Sequence, residues 1–368
     1  MKRIGVIGHF GDGKNLLNGQ TIKTKIVTTE LETRFGGSQI FKIDTHGGIK
    51  TYIKLPFLMV AALGMCSDII IMPAHNGVKV IVPLLSWLNK MFHRSLHYVA
   101  IGGWLPDLTE ARKDLSHHLK KFSGIYVETK NMKNALEEQG FYNIILMPNC
   151  KKLDILQKDE LIYIKSEPYP LCTFSRVMKE KGIEDAVYAV MRINDACGQT
   201  KFTLDIFGQI DGKQEDWFHK LKNTFPPYIQ YKGVIPFRQT TKVLKKYYAV
   251  LFPTYYEGEG FAGTLIDAMA AGVPVIASDW KCNGEFVKDG ETGCLFAAGN
   301  IDDLVEAINS TVANGRDWNQ MKVKCIDQAY DFVPENVLKI LLNRLRGGVI
   351  QKSKFTYCSF VMPLSEVV

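Results

Sequence analysis

The 368-residue chain has eight cysteines, at 66, 150, 172, 197, 282, 294, 325 and 358, and no two of them stand at the spacing of a zinc ribbon or a redox pair. A structural zinc site or thiol–disulfide couple of the usual kind is therefore excluded. There is no apolar leader with a cleavage site either, because MKRIGVIGHFG runs straight into a strand-like segment; this predicts a cytoplasmic protein with reduced thiols. Long apolar runs are also missing. The most apolar window, LPFLMVAALGMCSDIIIM (55–72), is interrupted by Gly64 and Asp68 and divides into a helix and a strand, so it predicts core rather than a membrane span. No low-complexity stretch interrupts a composition that is 46% hydrophobic and 23% charged, as in ordinary globular chains. Acidic residues are scarce in one half. Residues 1–150 hold 18 Lys and Arg against 11 Asp and Glu and so carry all of the formal net charge of +7. That asymmetry predicts an anionic partner for this half, with an ordinary solvated basic face as the plain alternative. Nucleic acid is not expected, since the basic residues are dispersed without a recognisable motif.

What is present is alternation. RIGVIGHF, QIFKID, DIIIMPA, LHYVAIGG, GIYVET and NIILMPN read as short β-branched strands. Amphipathic stretches near 20–35, 55–64, 77–91, 107–121 and 130–139 separate them. After a polar stretch at 151–167 the pattern restarts: PLCTFSRV, FTLDIFG, IQYKGVI, AVLFPTY and PVIASDW alternate with helices near 183–196, 215–225, 240–247 and 263–271. Strands separated by helices predict parallel sheets covered on both faces. The expected fold class is thus α/β, with two doubly wound Rossmann-like domains facing a cleft. The expected boundaries are 1–150, 151–335, and a C-terminal helix and tail at 336–368 that packs back on the first domain. In such sheets ligands bind beyond the carboxyl ends of the strands.

Three strand-to-helix loops attract attention. In GHFGDGKNLLNGQT (8–21), Gly8, Gly13 and Lys14 fit most of a phosphate-binding P-loop, but Asn15 stands where Ser or Thr should hold magnesium. Gly11 and Gly13 then either expose backbone N–H groups to a phosphate or hydroxyl or simply make a tight turn. In FSRVMKEKG, Arg176 and Lys181 are a guanidinium and an ammonium suited to a diphosphate. The third loop, EGEGFAG, precedes a helix whose first amides, at Gly263, Thr264 and Leu265, favour an anion. A carboxylate beside such a site repels phosphate, so Glu257 or Glu259 is better aimed at hydroxyl groups, which sugars offer in pairs.

This stretch resembles the motif of the retaining, nucleotide-sugar-dependent glycosyltransferases called family 4, or group 1, of the GT-B fold: Glu-Gly-Phe-Gly, an acidic residue eight positions after the first Glu, then Ala-Met-Ala-x-Gly-x-Pro-Val-Ile-Ala. Glu259, Gly260, Phe261 and Asp267 match in spacing, and AMAAGVPVIA (268–277) matches closely. SRVMKEKG, LDIFG, YKGVIP, EFVKDGETGCLF and the connector MPNCKKLD resemble further segments in order, so the likeness runs from about 144 to 310. Glu257 has no counterpart, because the residue eight beyond it is Leu265.

The resemblance implies transfer of a sugar from a nucleotide-diphosphate donor to a hydroxyl of a glycan or lipid-linked glycan, with retention of configuration. No cofactor is implied and metal is generally not required, in keeping with the lack of an Asp-x-Asp motif. Arg176 and Lys181 would bind the diphosphate and Glu259 would face the donor sugar near its anomeric carbon. Asp267 would hold the ribose, and Gly260, Phe261 and the backbone from Ala262 to Leu265 would complete the donor site. Asp267 is one methylene shorter than the family's usual Glu, and Ala262 replaces the second Gly. Many members carry a histidine aimed at the donor sugar at the end of the fourth strand, where this chain has Ile101, Gly102, Gly103 and Trp104; His75 and His9, at neighbouring strand ends, are the candidates for that donor-side role, with Gly11 and Gly13 beside them. Implied context is bacterial surface-polysaccharide assembly, with peripheral docking at an anionic inner membrane face. A nucleotide-sugar epimerase or a non-catalytic sugar-nucleotide-binding protein would share the phosphate features.

Overall fold

The alternation folds into two six-stranded parallel sheets in a computed structural model that describes residues 3–11, 19–47, 49–236, 239–313 and 318–345. Gly13 and the tail from 346 lie outside the described residues. The first sheet holds β1 (Arg3–Gly8), β2 (Ile40–Asp44), β3 (Cys66–Met72), β4 (Ser95–Val99), β5 (Gly124–Val127) and β6 (Ile144–Leu146), in the order β2-β1-β3-β4-β5-β6. The second holds β7 (Tyr169–Phe174), β8 (Phe202–Phe207), β9 (Ile229–Gly233), β10 (Ala249–Phe252), β11 (Val275–Ser278) and β12 (Gly293–Phe296), in the order β12-β11-β10-β7-β8-β9.

Parallel strands need long crossovers, and helices supply them. In the first domain these are α1 (Gly19–Phe35), α2 (Ile49–Met65), α3 (His75–Phe92), α4 (Leu105–Ala111), α5 (Lys113–Leu119) and α6 (Lys130–Glu138). The second uses α7 (Ile183–Cys197), α8 (Glu215–Lys222), α9 (Thr240–Leu244), α10 (Gly263–Ala270), α11 (Asn283–Phe286), α12 (Ile301–Ala313) and α13 (Trp318–Ala329), and the described chain ends in α14 (Pro334–Val337) and α15 (Lys339–Leu345). Two-residue periodicity divides each strand between two cores. Ile69 and Ile71 of β3 join Leu55, Met59, Val78 and Leu85 on one face, whereas Ile70 and Met72 join Val27 and Leu31 on the other. In β10, Ala249 and Leu251 face one core of the second domain and Val250 and Phe252 the other.

The helix expected over 107–121 is instead two. Arg112 breaks it with φ −126° and ψ 84°, and its guanidinium forks onto Asp114 in the first turn of α5. The helix expected to 225 ends at Lys222, ahead of Pro226 and Pro227, which cannot continue it. After α13 the chain returns to the first domain, where Val337, Leu338, Leu341, Leu342 and Leu345 share a core with Ile4, Val6, Val27 and Leu31. The two domains are thus crossed by the chain twice, near 147–168 and near 333–338.

Strand order reverses between β1 and β3 in the first sheet and between β7 and β10 in the second. Loops leaving neighbouring strands diverge at such points and open a crevice. Here they are the loops beginning at His9, Pro73, Ser175 and Pro253. They include every loop singled out in the sequence, which is how the fold brings stretches distant along the chain to one edge.

Candidate functional site

Glu259 lies in the turn between β10 and α10, with its amide donating to Tyr256 O at 3.0 Å. Its carboxylate is buried. Oε2 accepts from Lys181 Nζ, and Thr254 Oγ1, itself fully buried, donates to the same oxygen at 2.8 Å. The Lys181 ammonium also stands 5.5 Å from the Phe252 ring and 5.1 Å from that of Tyr256, so two aromatic faces and one carboxylate offset its burial. Backbone geometry fixes Lys181. Gly182 has φ +67°, and a methyl group there would fall 2.1 Å from Pro253 O, so the β7 and β10 loops touch through a position only glycine can occupy. Gly182→Ala is expected to cost at least about 2 kcal/mol from the strained φ and the displaced loop, read as a lower Tm in thermal unfolding.

The sequence reading placed Phe261 in the donor site, and in the structure its ring is buried away from solvent. The ring stacks on Phe286 at 3.6 Å between centroids and meets Phe332 edge-on at 5.0 Å, so it anchors the turn in the core and leaves only backbone for a ligand. Gly260 sits against the first domain: a methyl group on it would lie 3.3 Å from Gly102 Cα and 3.4 Å from Glu128 Oε2. Ala262 caps α10, and Thr264 Oγ1 donates to Phe174 O at 2.5 Å, tying the helix start to the end of β7. The Leu265 amide is committed to Ala262 O at 3.1 Å, which leaves the amides of Gly263 and Thr264 to meet an anion at the helix start. Arg176 departs most from expectation. Its exposed guanidinium lies 3.6 Å from Asp211 rather than joining Lys181 and Glu259. Glu257 is an exposed rim residue whose carboxylate meets Lys281 Nζ at 2.8 Å.

Asp267 faces a depression of about 330 Å³ between the interdomain connector and α9, lined also by Lys151, Lys152, Asp154, Thr240 and Thr241. Lys151 Nζ lies 2.6 Å from one oxygen of Asp267 and 2.7 Å from the other. Burial pushes the Asp267 pKa up from the usual carboxylate range, and the ammonium of Lys151 opposes that rise. The missing methylene of Asp267 is thus met by a lysine reaching from the connector.

Across the crevice, Lys23 and Glu128 form a buried ion pair, and Lys23 also donates to Ala100 O at 3.1 Å. His9 Nδ1 is 2.7 Å from Thr21 Oγ1 and its Nε2 is 3.1 Å from His46 Nδ1, while Asp44 Oδ1 accepts from the amides of Phe10 and His46 at 2.8 Å each. Gly11 turns with φ +65°. His75 is exposed, bonds Asn76 and meets Trp104 edge-on at 5.1 Å. His9, Gln20, Thr45, His75 and Asn76 line a second depression of about 270 Å³ at the β1/β3 reversal. Trp104 follows Gly103, where a methyl group would lie 3.1 Å from the backbone oxygen of Glu259, so the turn at 102–104 lies between His75 and the backbone of the Glu259 turn. Glu285 fastens the domains at the rim by accepting from the amides of Lys130 and Asn131 at the start of α6, at 2.5 and 2.8 Å.

Sequence reading missed Thr254, Lys151, the Lys23–Glu128 pair and the role of Glu285. Lys151, Lys23 and Glu285 act through partners more than 100 residues away, which no local spacing signals, whereas Thr254 lies five residues before its partner Glu259.

Residues 158–332 match the family model described as glycosyl transferases group 1. The chain is similar to the GtfA subunit of the UDP-N-acetylglucosamine–peptide N-acetylglucosaminyltransferase of Streptococcus gordonii, 30% identical over 205 residues, which are 52% of this chain and 38% of that subunit. The chain therefore spans well under two thirds of that relative. Among solved structures it is similar to Anabaena HepE bound to UDP and glucose, at a TM-score of 0.69 and 14% identity over 95% of this chain and 100% of that one. It is also similar to the lipopolysaccharide outer core galactosyltransferase WaaB, at a TM-score of 0.68 and 15% identity over 94% and 100%. These likenesses establish the fold, two Rossmann-like domains in the GT-B arrangement.

Proposed function

We propose, from the match of residues 158–332 to the glycosyl transferases group 1 model, that the chain transfers a sugar from a nucleotide-diphosphate donor to a hydroxyl of a glycan or lipid-linked glycan, with retention of configuration. The observation that carries this reading is the meeting of Lys181, Glu259 and the start of α10 where strand order reverses between β7 and β10. As the bond from the anomeric carbon to the diphosphate breaks, its electron pair moves to the leaving phosphate oxygen. Lys181 and the amides of Gly263 and Thr264 then stabilise the growing charge, one well-placed donor contributing about 3–4 kcal/mol. Arg176 reaches the diphosphate only by leaving Asp211. The donor competes with Glu259 for the Lys181 ammonium, and the carboxylate it releases faces the sugar. Asp267 and Lys151 together hold the ribose, and the backbone of Gly260 to Ala262 completes that side. These residues and the helix start supply the charge that the donor needs without a metal.

The acceptor falls to the first domain, in the depression between His9 and His75. Its hydroxyl oxygen bonds the anomeric carbon as the bond to the diphosphate breaks, and the hydroxyl proton passes to the leaving phosphate oxygen. The lipopolysaccharide outer core in the description of WaaB supports assembly of a bacterial surface polysaccharide, and we place that assembly on the inner side of a membrane. Among the described residues no helix is long and apolar enough to cross one.

A panel of nucleotide sugars is expected to contain one that raises the Tm. Saturation at one hundred times Kd adds about 2.7 kcal/mol of stability. Proton coupling constants of the product made from that donor and a soluble glycan acceptor should show the donor's anomeric configuration. An inverted product would overturn retention, and an epimer formed from donor alone would overturn transfer.

A further inference from the structure

α2 and α3 lie side by side on one face of the first sheet, and their inward residues share one core. Their outward residues are unusual. Ile53, Phe57 and Val60 form an exposed stripe on α2 at helical spacing, and Val80, Trp87 and Met91 form another on α3. Phe57 is 77% exposed, Trp87 63% and Met91 82%, so these are projecting side chains and not the edges of a packed core. Single exposed apolar residues need no explanation, but two parallel rows of aromatic and long aliphatic side chains mark a surface that meets something.

The charge on the same face says what. Neither helix contains an acidic residue, and between Asp44 and Asp107 the only one in the chain is Asp68. Lys54 and Lys90 are exposed beside the two stripes, and Lys79 is half-buried next to Val80. An apolar ridge flanked by lysines, with no carboxylate on either helix to repel phosphate, is the pattern of a surface that lies in a lipid headgroup layer. A second copy of the chain would bring the same positive face against itself, and nucleic acid would leave the projecting Phe57, Trp87 and Met91 in water.

We propose that α2 and α3 form a membrane-docking face, which seats the first domain on an anionic bilayer with Phe57, Trp87 and Met91 in the headgroup and acyl boundary and Lys54 and Lys90 at the phosphates. The need for such a face rests on the reading of a lipid-linked acceptor, but its evidence is the surface itself. α3 begins at His75, which lines the depression proposed for the acceptor, so docking through this helix holds the acceptor end of the crevice near the bilayer.

The test is co-sedimentation of the full chain with phosphatidylcholine vesicles containing about 30% phosphatidylglycerol, at low salt and at about 0.5 M salt. Wild type is expected in the pellet at low salt. The triple variant Phe57→Ser/Trp87→Ser/Met91→Ser should partition at least tenfold less. Lys54→Glu/Lys90→Glu should bind no better than wild type in high salt. Both variants should keep the wild-type Tm and the wild-type thermal shift with the nucleotide sugar, because none of the five residues touches the donor crevice. An intact donor shift without vesicle binding by wild type overturns docking and leaves the transferase reading standing. Vesicle binding equal to wild type in the triple variant overturns the assigned face. So does a concentration-dependent dimer, seen by light scattering in wild type and lost in the triple variant.

Discussion

Lys181→Met is expected to lower kcat/KM about 10²- to 10³-fold, the loss that follows removal of one preorganised charge from a developing anion. Two effects combine in it. The diphosphate loses its ammonium, and Glu259, buried with Oε2 shared between Lys181 and Thr254, loses the cation that balances it. Glu259→Gln separates them: it keeps a side-chain oxygen for the Thr254 hydroxyl and leaves Lys181 to the donor, so donor affinity should hold or rise while kcat falls. Steady-state kinetics with donor titration reads both. The two substitutions act on one pair, so the double variant should lose less than the product of the single losses. If Glu259→Ala binds donor and transfers sugar at the wild-type rate, the carboxylate has no part in the reaction, and Lys181 acts alone.

That the loops of Glu259 and Lys181 meet at one sheet edge was legible in the sequence, because the chain encodes each locally as a strand, a turn containing glycine and a helix start. Gly182 and Gly260 mark where the backbones approach closely, and glycine shows in a sequence whether or not the neighbour is known. Side-chain destinations were not legible. Arg176 and Lys181 share one loop, yet Asp211 draws the first outward while Glu259 holds the second within the crevice. Phe261 looked like a site residue by position, whereas Phe286 and Phe332, brought by later elements, make it an anchor. The break at Arg112 was hidden for a similar reason, since the residues around it have ordinary helix propensity and the ion pair with Asp114 restarts the helix beyond it.

Lys151→Met should lower the stability of the protein by about 3 kcal/mol, because it leaves the buried Asp267 carboxylate without its cation. Asp267 also gives the change a pH signature. Its pKa is raised by burial, so in the folded protein the ionised form is disfavoured, and stability from this group increases as pH falls through the folded pKa toward the unfolded value of about 3.9. Lys151 opposes the rise; without it the folded pKa climbs further, and recovery on acidification should begin at higher pH in the variant than in wild type. Thermal unfolding across the acidic range measures this directly. Lys151→Met/Asp267→Leu, which replaces both charges with apolar groups, should regain most of the lost stability. It should not regain the thermal shift with nucleotide sugar, because the groups proposed to hold the ribose are gone. Full recovery of that shift in the double variant would assign the pair to packing between connector and α10 alone, and would move ribose recognition to the Thr240 and Thr241 side of the same depression.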